Sequence, residues 1–218
     1  MLKLAPTVSL GLDQARRTGW GLGLSRRVVE SGVASSHEER LAVCERAREL
    51  ADGDMRRVFV LFECHAGMPL TRLTRMDGAT RRTGRHGAPE RSTASILGLG
   101  AARGRWEELL DMLGHPEALR DDVEPRTWRA RVLGVTTGGS AHLKQVACEW
   151  ASAHLGREVT DPDEAEGACI TAFAAVDGLA RLVQRRARHR LYARGRREER
   201  RQLELEEHEG KQSIRSLF

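Results

Sequence analysis

The sequence lacks any apolar run long enough to cross a bilayer, and no segment has the pattern of a secretion signal. We therefore expect no membrane partner. Cysteine is also sparse, and the four cysteines form no CxxC pair. Their scatter argues against a zinc finger or a disulfide framework and favours a reducing compartment, so we expect the protein to act in the cytoplasm.

Lysine is the scarcest of the basic residues. Only Lys3, Lys144 and Lys211 are lysine, and the other positively charged side chains are arginine. A GC-rich genome accounts for such a bias. Because the lysine ammonium is a compact point charge that arginine cannot imitate at a tight site, Lys144, the only lysine in the interior of the sequence, is a candidate functional residue.

Positive charge is in excess overall. The formal net charge is +5 and the isoelectric point is near 9.5, which favours a polyanionic partner. The length of 218 residues suits one domain with an appendage. We expect a domain over residues 1–180 and a charged helical tail over 181–218. The tail is either an exposed helix with ion pairs or a second DNA contact.

The apolar pattern predicts strands first, then alternating helices and strands, then helices. Predicted strands cover residues 7–13, 19–24, 27–33, 57–63 and 119–124. Predicted helices cover residues 37–51, 93–113, 126–133, 140–155 and 163–191, and a basic loop covers 66–92. This order predicts an α/β fold with a mixed sheet flanked by helices and a C-terminal helical extension.

Two of the predicted apolar strands end on a carboxylate, Asp13 in SLGLD and Glu63 in VFVLFE. A carboxylate in that position is costly to desolvate unless it is paired or holds a cation. A third acidic group lies in DPDEAEGA, where Asp163 and Glu166 are spaced to share one face of a helix. The small residues after them, Gly167 and Ala168, would let that helix approach the sheet closely.

Carboxylates from three distant segments would repel one another if they converged, unless cations neutralised them. Hard oxygen ligands suit Mg²⁺, with Mn²⁺ as the alternative. A pair of such ions can activate water and stabilise the leaving oxygen in phosphodiester cleavage. The sequence therefore favours a two-metal site.

These segments resemble the RuvC-type Holliday junction resolvases of the RNase H-like superfamily, especially the phage-encoded ones. LGLDQARRTGWG is similar to the family's first strand and turn, and VLFE to its second catalytic strand. ILGLGAARGRWEELL is similar to its small-residue helix, and EPRTWRARVLG to the segment that leads into GGSAHLKQV. DEAEGACI is similar to its helical D-x-x-D-A-x-A-I signature. The resemblance spans roughly residues 7–180.

The resemblance implies an RNase H-like nuclease domain whose metal ligands are Asp13, Glu63, Asp163 and Glu166. It implies Lys144 as an auxiliary cation near the scissile phosphate, and branched DNA as the substrate. It further implies a homodimer, for which the small residues of helix 93–113 offer a surface, and host-cell cytoplasm if a phage encodes the chain. Asp161 and Glu164 lie near enough in sequence to be alternative ligands.

The basic loop directly follows Glu63, and its arginines are predicted to contact DNA phosphates. The predicted contacts are Arg72, Arg75, Arg81, Arg82 and Arg85, together with Lys144. Glycines in the loop would allow it to adapt to a branch point.

Three other functions remain open. A related RNase H-like nuclease would act on flaps, forks or RNA–DNA hybrids. An actin-like sugar kinase or ATPase would need a second D-x-G hairpin and a Gly-rich adenosine segment, and neither is evident. A non-catalytic nucleic-acid-binding module could have lost one carboxylate, whereas all four positions are filled here.

Overall fold

The computed structural model describes residues 7–15, 17–64, 93–178, 180–184 and 187. The chain divides into two compact units, Met1–Gly178 and Leu179–Phe218. Within the second unit, residues 180–184 are helical, and the rest of the predicted tail lies almost wholly outside the described residues. Among the described helices, none is both long and apolar enough to span a bilayer.

The first unit is built on a five-stranded mixed sheet with the order β3-β2-β1-β4-β5. The strands are β1 (Val8–Asp13), β2 (Thr18–Leu24), β3 (Arg27–Ala34), β4 (Val58–Glu63) and β5 (Arg120–Val123). The first three strands form an antiparallel meander, whereas β1 pairs with β4, and β4 with β5, in parallel. The mixed sheet predicted from the sequence is confirmed.

Helices cover both faces of the sheet. They are α1 (His37–Leu50), α2 (Thr93–Met112), α3 (Pro125–Trp128), α4 (Ser140–Leu155) and α5 (Pro162–Phe173). Helix α1 begins with a capping box, in which the Ser36 side chain accepts from the Glu39 amide and the Glu39 carboxylate accepts from the Ser36 amide. The helices of the predicted α/β fold are therefore present.

Successive side chains of the central strands point to opposite faces of the sheet and so pack against different helices. Leu10 and Leu12 of β1 belong to the apolar core that includes Val43 of α1 and Trp106 of α2. Gly11, between them, faces the other way and lies against Thr171 of α5. The odd-numbered positions of β1, which end at Asp13, thus face α5.

The helix predicted over residues 163–191 is interrupted in the structure. Helix α5 ends at Phe173 and continues into a π-helical turn, Ala174–Gly178. This turn brings Gly178 against Phe59 of β4, where an added Cβ would lie 2.6 Å from a ring carbon. The helix predicted over 126–133 likewise consists of α3 followed by a π-helical turn, Arg129–Leu133. The periodicity of apolar residues does not reveal such turns, because the spacing changes over only a few residues.

Candidate active site

Asp13 and Glu63 lie side by side at the carboxyl ends of two parallel strands. Leu12 pairs with Phe62, so the next residues of β1 and β4 project from the same edge and face of the sheet. Asp13 is 8% exposed and Glu63 is 3% exposed. Two nearly buried carboxylates therefore end adjacent strands on the face that α5 covers.

Glycines let α5 approach β2 closely. An added Cβ at Gly19 would lie 1.6 Å from the Asp163 carbonyl oxygen, and one at Gly21 would lie 2.9 Å from the Gly167 carbonyl oxygen. On the helix, an added Cβ at Gly167 would lie 2.4 Å from the Trp20 backbone nitrogen. Because Gly19 pairs with Asp13 across the sheet, this contact brings the start of α5 to the strand carboxylates.

The buried hydroxyl of Thr171 also holds α5 against the sheet. Thr171 is fully buried, and its hydroxyl accepts from the Gly11 amide at 3.0 Å and donates to the Gly167 carbonyl at 2.9 Å. The bond to β1 fixes the helix axially against the strand that ends at Asp13. Sheet and helix are therefore in contact through backbone as well as side chains.

The acidic residues of α5 separate into two groups. Asp161 is the N-cap residue, accepting from the Asp163 amide at 3.0 Å, and it pairs with Arg17. Glu164 accepts from the Ser31 hydroxyl at 2.7 Å and pairs with Arg157. These two alternative ligands thus have other partners.

Asp163 and Glu166, in contrast, act electrostatically on Asp13. Burial raises the pKa of Asp13 well above its usual value, and the negative charges of Glu63, Glu166 and Asp163 raise it further, in that order. Lys144 lowers the pKa of Asp13. The structure therefore brings the four predicted carboxylates and the predicted lysine into one neighbourhood, called the carboxylate cluster below.

Positive side chains flank this cluster. Arg129 Nη2 lies 2.6 Å from Glu166 Oε1, and its guanidinium stacks 5.0 Å from the Trp128 ring centroid. Lys144 Nζ lies 3.9 Å from Asp163 Oδ1 and Arg17 Nη1 lies 4.0 Å from Asp163 Oδ2. Sequence reasoning missed Arg129, because one arginine in an arginine-rich chain carries no distinguishing signal.

Trp128 was also missed. Its side chain is fully buried, and its indole Nε1 donates to Glu63 Oε2 at 3.0 Å. The sequence held one usable signal, since Trp and Arg are adjacent in a segment that resembles the family, but residue order alone does not show which strand they face.

The donor set suits a hard divalent cation, although the side chains are not closed around one. Within the part of the chain that the structure describes, no three carboxylate, imidazole or thiol groups form a ready-made metal site. All four cluster members nevertheless offer oxygen ligands, and their mutual repulsion at buried Asp13 is what a cation would relieve. Coordination by Glu166 would require it to exchange its Arg129 partner. The residues present fit Mg²⁺ or Mn²⁺ on their chemistry.

Some predicted features cannot be located. Arg72, Arg75, Arg81, Arg82 and Arg85 lie outside the described residues. Helix α2 is present where a dimer surface was predicted, but the structure contains a single chain. The DNA-contacting loop and the homodimer therefore stay predictions.

The mixed five-stranded sheet and the helices that flank it match the fold of a solved RuvC structure. A solved structure of Thermus thermophilus RuvC in complex with a Holliday junction substrate matches with a TM-score of 0.51 and 15% identity. The match covers 78% of this chain and 93% of that one. A second structure of Thermus thermophilus RuvC matches with a TM-score of 0.46 and 15% identity, covering 77% and 93% of the two chains.

No protein-family model matches the chain, and no curated protein sequence matches it. The fold inferred from the sequence resemblance is confirmed by the first structural match.

Proposed function

We propose that this protein is a metal-dependent, structure-selective DNA endonuclease that resolves four-way junctions. The observation that carries the proposal is the carboxylate cluster, in which Asp13 is buried among three further carboxylates and opposed by Lys144. Burial of like charges costs stability, so a purely structural role gives no reason to assemble them. The shared fold with a RuvC that was solved with a Holliday junction substrate supports branched DNA as the substrate.

In the proposed mechanism, Asp13, Glu63, Asp163 and Glu166 would hold two divalent cations. Such a pair of ions, when bound, activates water and stabilises the leaving oxygen. Water would attack phosphorus as the bond from phosphorus to the 3′ oxygen breaks, and a proton from the water would pass to that oxygen, which would leave a 5′-phosphate and a 3′-hydroxyl. Asp13, at the end of a central strand, would be one of the ligands, since the charges of the other three carboxylates all act on it.

The cationic side chains have a second role in this proposal. Lys144 is 43% exposed along its side chain, so its ammonium can reach both Asp163 and solvent. It would meet the phosphate from the solvent side of the cluster. Arg129 pairs with Glu166 in the protein alone, so this pair would have to open before Glu166 could bind a cation.

A homodimer follows from the geometry of the substrate, because two symmetric cuts are needed to resolve a four-way junction. We propose α2 as the contact surface. Its described residues include exposed Gly98, Ala101 and Met112, of which Met112 is 69% exposed. Small residues on one helix allow close approach of a second copy.

The test is a cleavage panel with end-labelled four-way, forked, flapped and linear DNA and an RNA–DNA hybrid, in Mg²⁺ and in chelator. We expect metal-dependent cutting of the four-way junction in preference to linear DNA. Preference for forks, flaps or hybrids would instead assign the related nuclease activity. Binding of all substrates without cutting would assign a non-catalytic module.

Asp13→Asn is the first variant to add to this panel. An amide is uncharged and a poorer ligand for a hard dication, so we expect cleavage to fall on the order of 10³-fold. Junction binding, measured by gel shift, should persist because Asp13 does not contact DNA in the proposal. Turnover like that of the unmodified protein would contradict the proposed site.

A further inference from the structure

Two buried indoles in this protein donate hydrogen bonds, but to different acceptors. Trp106 Nε1 donates to the Thr18 hydroxyl at 3.2 Å, whereas Trp128 Nε1 donates to Glu63 Oε2 at 3.0 Å. Both tryptophans are fully buried. A buried indole N–H needs an acceptor, and a hydroxyl satisfies it as well as a carboxylate does. The choice of a carboxylate at Trp128 therefore calls for a reason beyond packing.

The local chain path holds Trp128 on Glu63. Val123, the last residue of β5, pairs with Glu63, and the Cys64 amide donates to the Val123 carbonyl at 2.8 Å. Helix α3 starts two residues later at Pro125, which favours a first helical position. One turn of helix then delivers Trp128 back to the end of β4. The strand pairing that fixes Glu63 thus also fixes its hydrogen-bond donor.

The Trp128 indole that donates to Glu63 is neutral, whereas the Arg129 guanidinium that donates to Glu166 is charged. The Arg129 guanidinium pairs with Glu166 through its positive charge, so it competes directly with a cation for that carboxylate. The indole carries no charge to compete. Its hydrogen bond restricts the rotation of the Glu63 carboxylate without placing a positive charge against it.

From this geometry we propose that Trp128 is a positioning residue, whose indole N–H sets the orientation of the Glu63 carboxylate for metal binding. The inference rests on the proposed function, since it needs Glu63 to be a ligand. Hydrogen-bond partners of metal ligands typically change metal affinity or activity by about 10–100-fold when removed. We expect an effect in that range.

The test compares Trp128→Phe with Trp106→Phe, a matched control that also loses a buried indole N–H and the same volume. The probe is Mn²⁺ alone, titrated calorimetrically into each full-length protein without DNA. We expect Trp128→Phe to weaken Mn²⁺ binding by about 10–100-fold, and Trp106→Phe to keep the affinity of the unmodified protein. In cleavage assays, Trp128→Phe should lower kcat at saturating junction while the junction Kd stays the same.

Equal Mn²⁺ affinities in the two variants would overturn the positioning role. If Trp128→Phe fails to fold, the Trp128 indole can be replaced by benzothiophene, which keeps the bicyclic shape and removes only the donor. The same weakening is then expected, and unchanged affinity overturns the inference. Should the unmodified protein neither bind Mn²⁺ nor cut DNA, the proposed function fails and the inference with it, which is a distinguishable result.

Discussion

At the scale of single residues, the two glutamates of α5 differ in what they contact. Glu166 is 6% exposed and acts on Asp13, whereas Glu164 turns to Ser31 and Arg157. Both are glutamates of the same helix, so a substitution at Glu164 is a control for the same substitution at Glu166. The sequence favoured Glu166, which shares a helix face with Asp163 at three-residue spacing, and kept Glu164 as an alternative because it lies near in sequence.

We predict that Glu166→Gln reduces junction cleavage by at least about 100-fold, as loss of a metal ligand removes several kcal/mol of transition-state stabilisation. Glu164→Gln should keep most of the activity and lose mainly the surface pairing with Arg157. Single-turnover cleavage rates of the two variants check this. Comparable losses would mean that the assignment of the α5 face is wrong.

His115 gives a residue-scale prediction on stability. It is 3% exposed, and Arg120 Nε donates to its Nδ1 at 3.2 Å, so its Nε2 must carry the proton that is donated to the Val58 carbonyl at 3.0 Å. Burial, with a further contribution from the Arg120 charge, lowers the pKa of His115 to about 4. The folded protein therefore holds this imidazole neutral.

The unfolded chain binds a proton at His115 below about pH 6.5, while the folded protein does so only near pH 4. The contribution of His115 to the free energy of unfolding is therefore fully present above pH 6.5. It decreases by up to about 3 kcal/mol as the pH falls towards 4. His115→Gln can keep both hydrogen bonds without titrating, so its unfolding free energy should fall less over this range. Urea unfolding between pH 7.5 and 4 measures the difference, and parallel curves would refute it.

At the scale of elements, the decisive contact is that of α5 with β2. The alternation in TGWGLGL puts glycines on the face that meets the helix, and Gly19 has no room for a side chain beside Asp163. We predict that Gly19→Ala costs about 1–3 kcal/mol of stability by overpacking. It should also reduce cleavage more than this loss of stability explains, because it displaces Asp163.

Gly104→Ala in α2 is the control for Gly19→Ala, since nothing lies within 4 Å of an added Cβ there. It should raise stability by about 0.5–1 kcal/mol, as expected for an exposed glycine in a helix. Chemical denaturation of both variants compares the two effects on stability, and the cleavage rate of the folded Gly19→Ala protein measures the effect on the site. Normal activity of a folded Gly19→Ala protein would contradict the proposed importance of this contact.

Much at the element scale could be predicted from sequence, because the strands are apolar and end in carboxylates. Small residues at Gly167 and Ala168 indicated close helix packing, and an added Cβ at Gly167 would indeed collide with β2. The β2 glycines were interpreted only as part of a strand, since a strand pattern does not show what covers it. Trp128 was missed for a similar reason, because its partner is 65 residues away in the chain.

At the scale of the whole molecule, we propose that chemistry and substrate selection belong to different segments of the chain. The carboxylate cluster belongs to the sheet and α5, whereas the arginine-rich segment at 66–92 follows β4 directly in sequence. We propose that this segment selects branched DNA. Replacing residues 70–90 with a short Gly/Ser linker should weaken junction binding and its salt dependence, while some metal-dependent nicking of simple DNA persists.

A more specific prediction concerns two arginines of this segment. Arg81→Gln with Arg82→Gln should reduce the slope of log affinity against log salt by roughly one per lost phosphate contact. The control removes the same charge from the tail, by Arg196→Gln with Arg197→Gln. Affinities for four-way and linear DNA over a salt series decide between the two regions. If only the tail variant loses junction preference, branch selection belongs to residues beyond 181, because charge was removed equally from both and only its position differs.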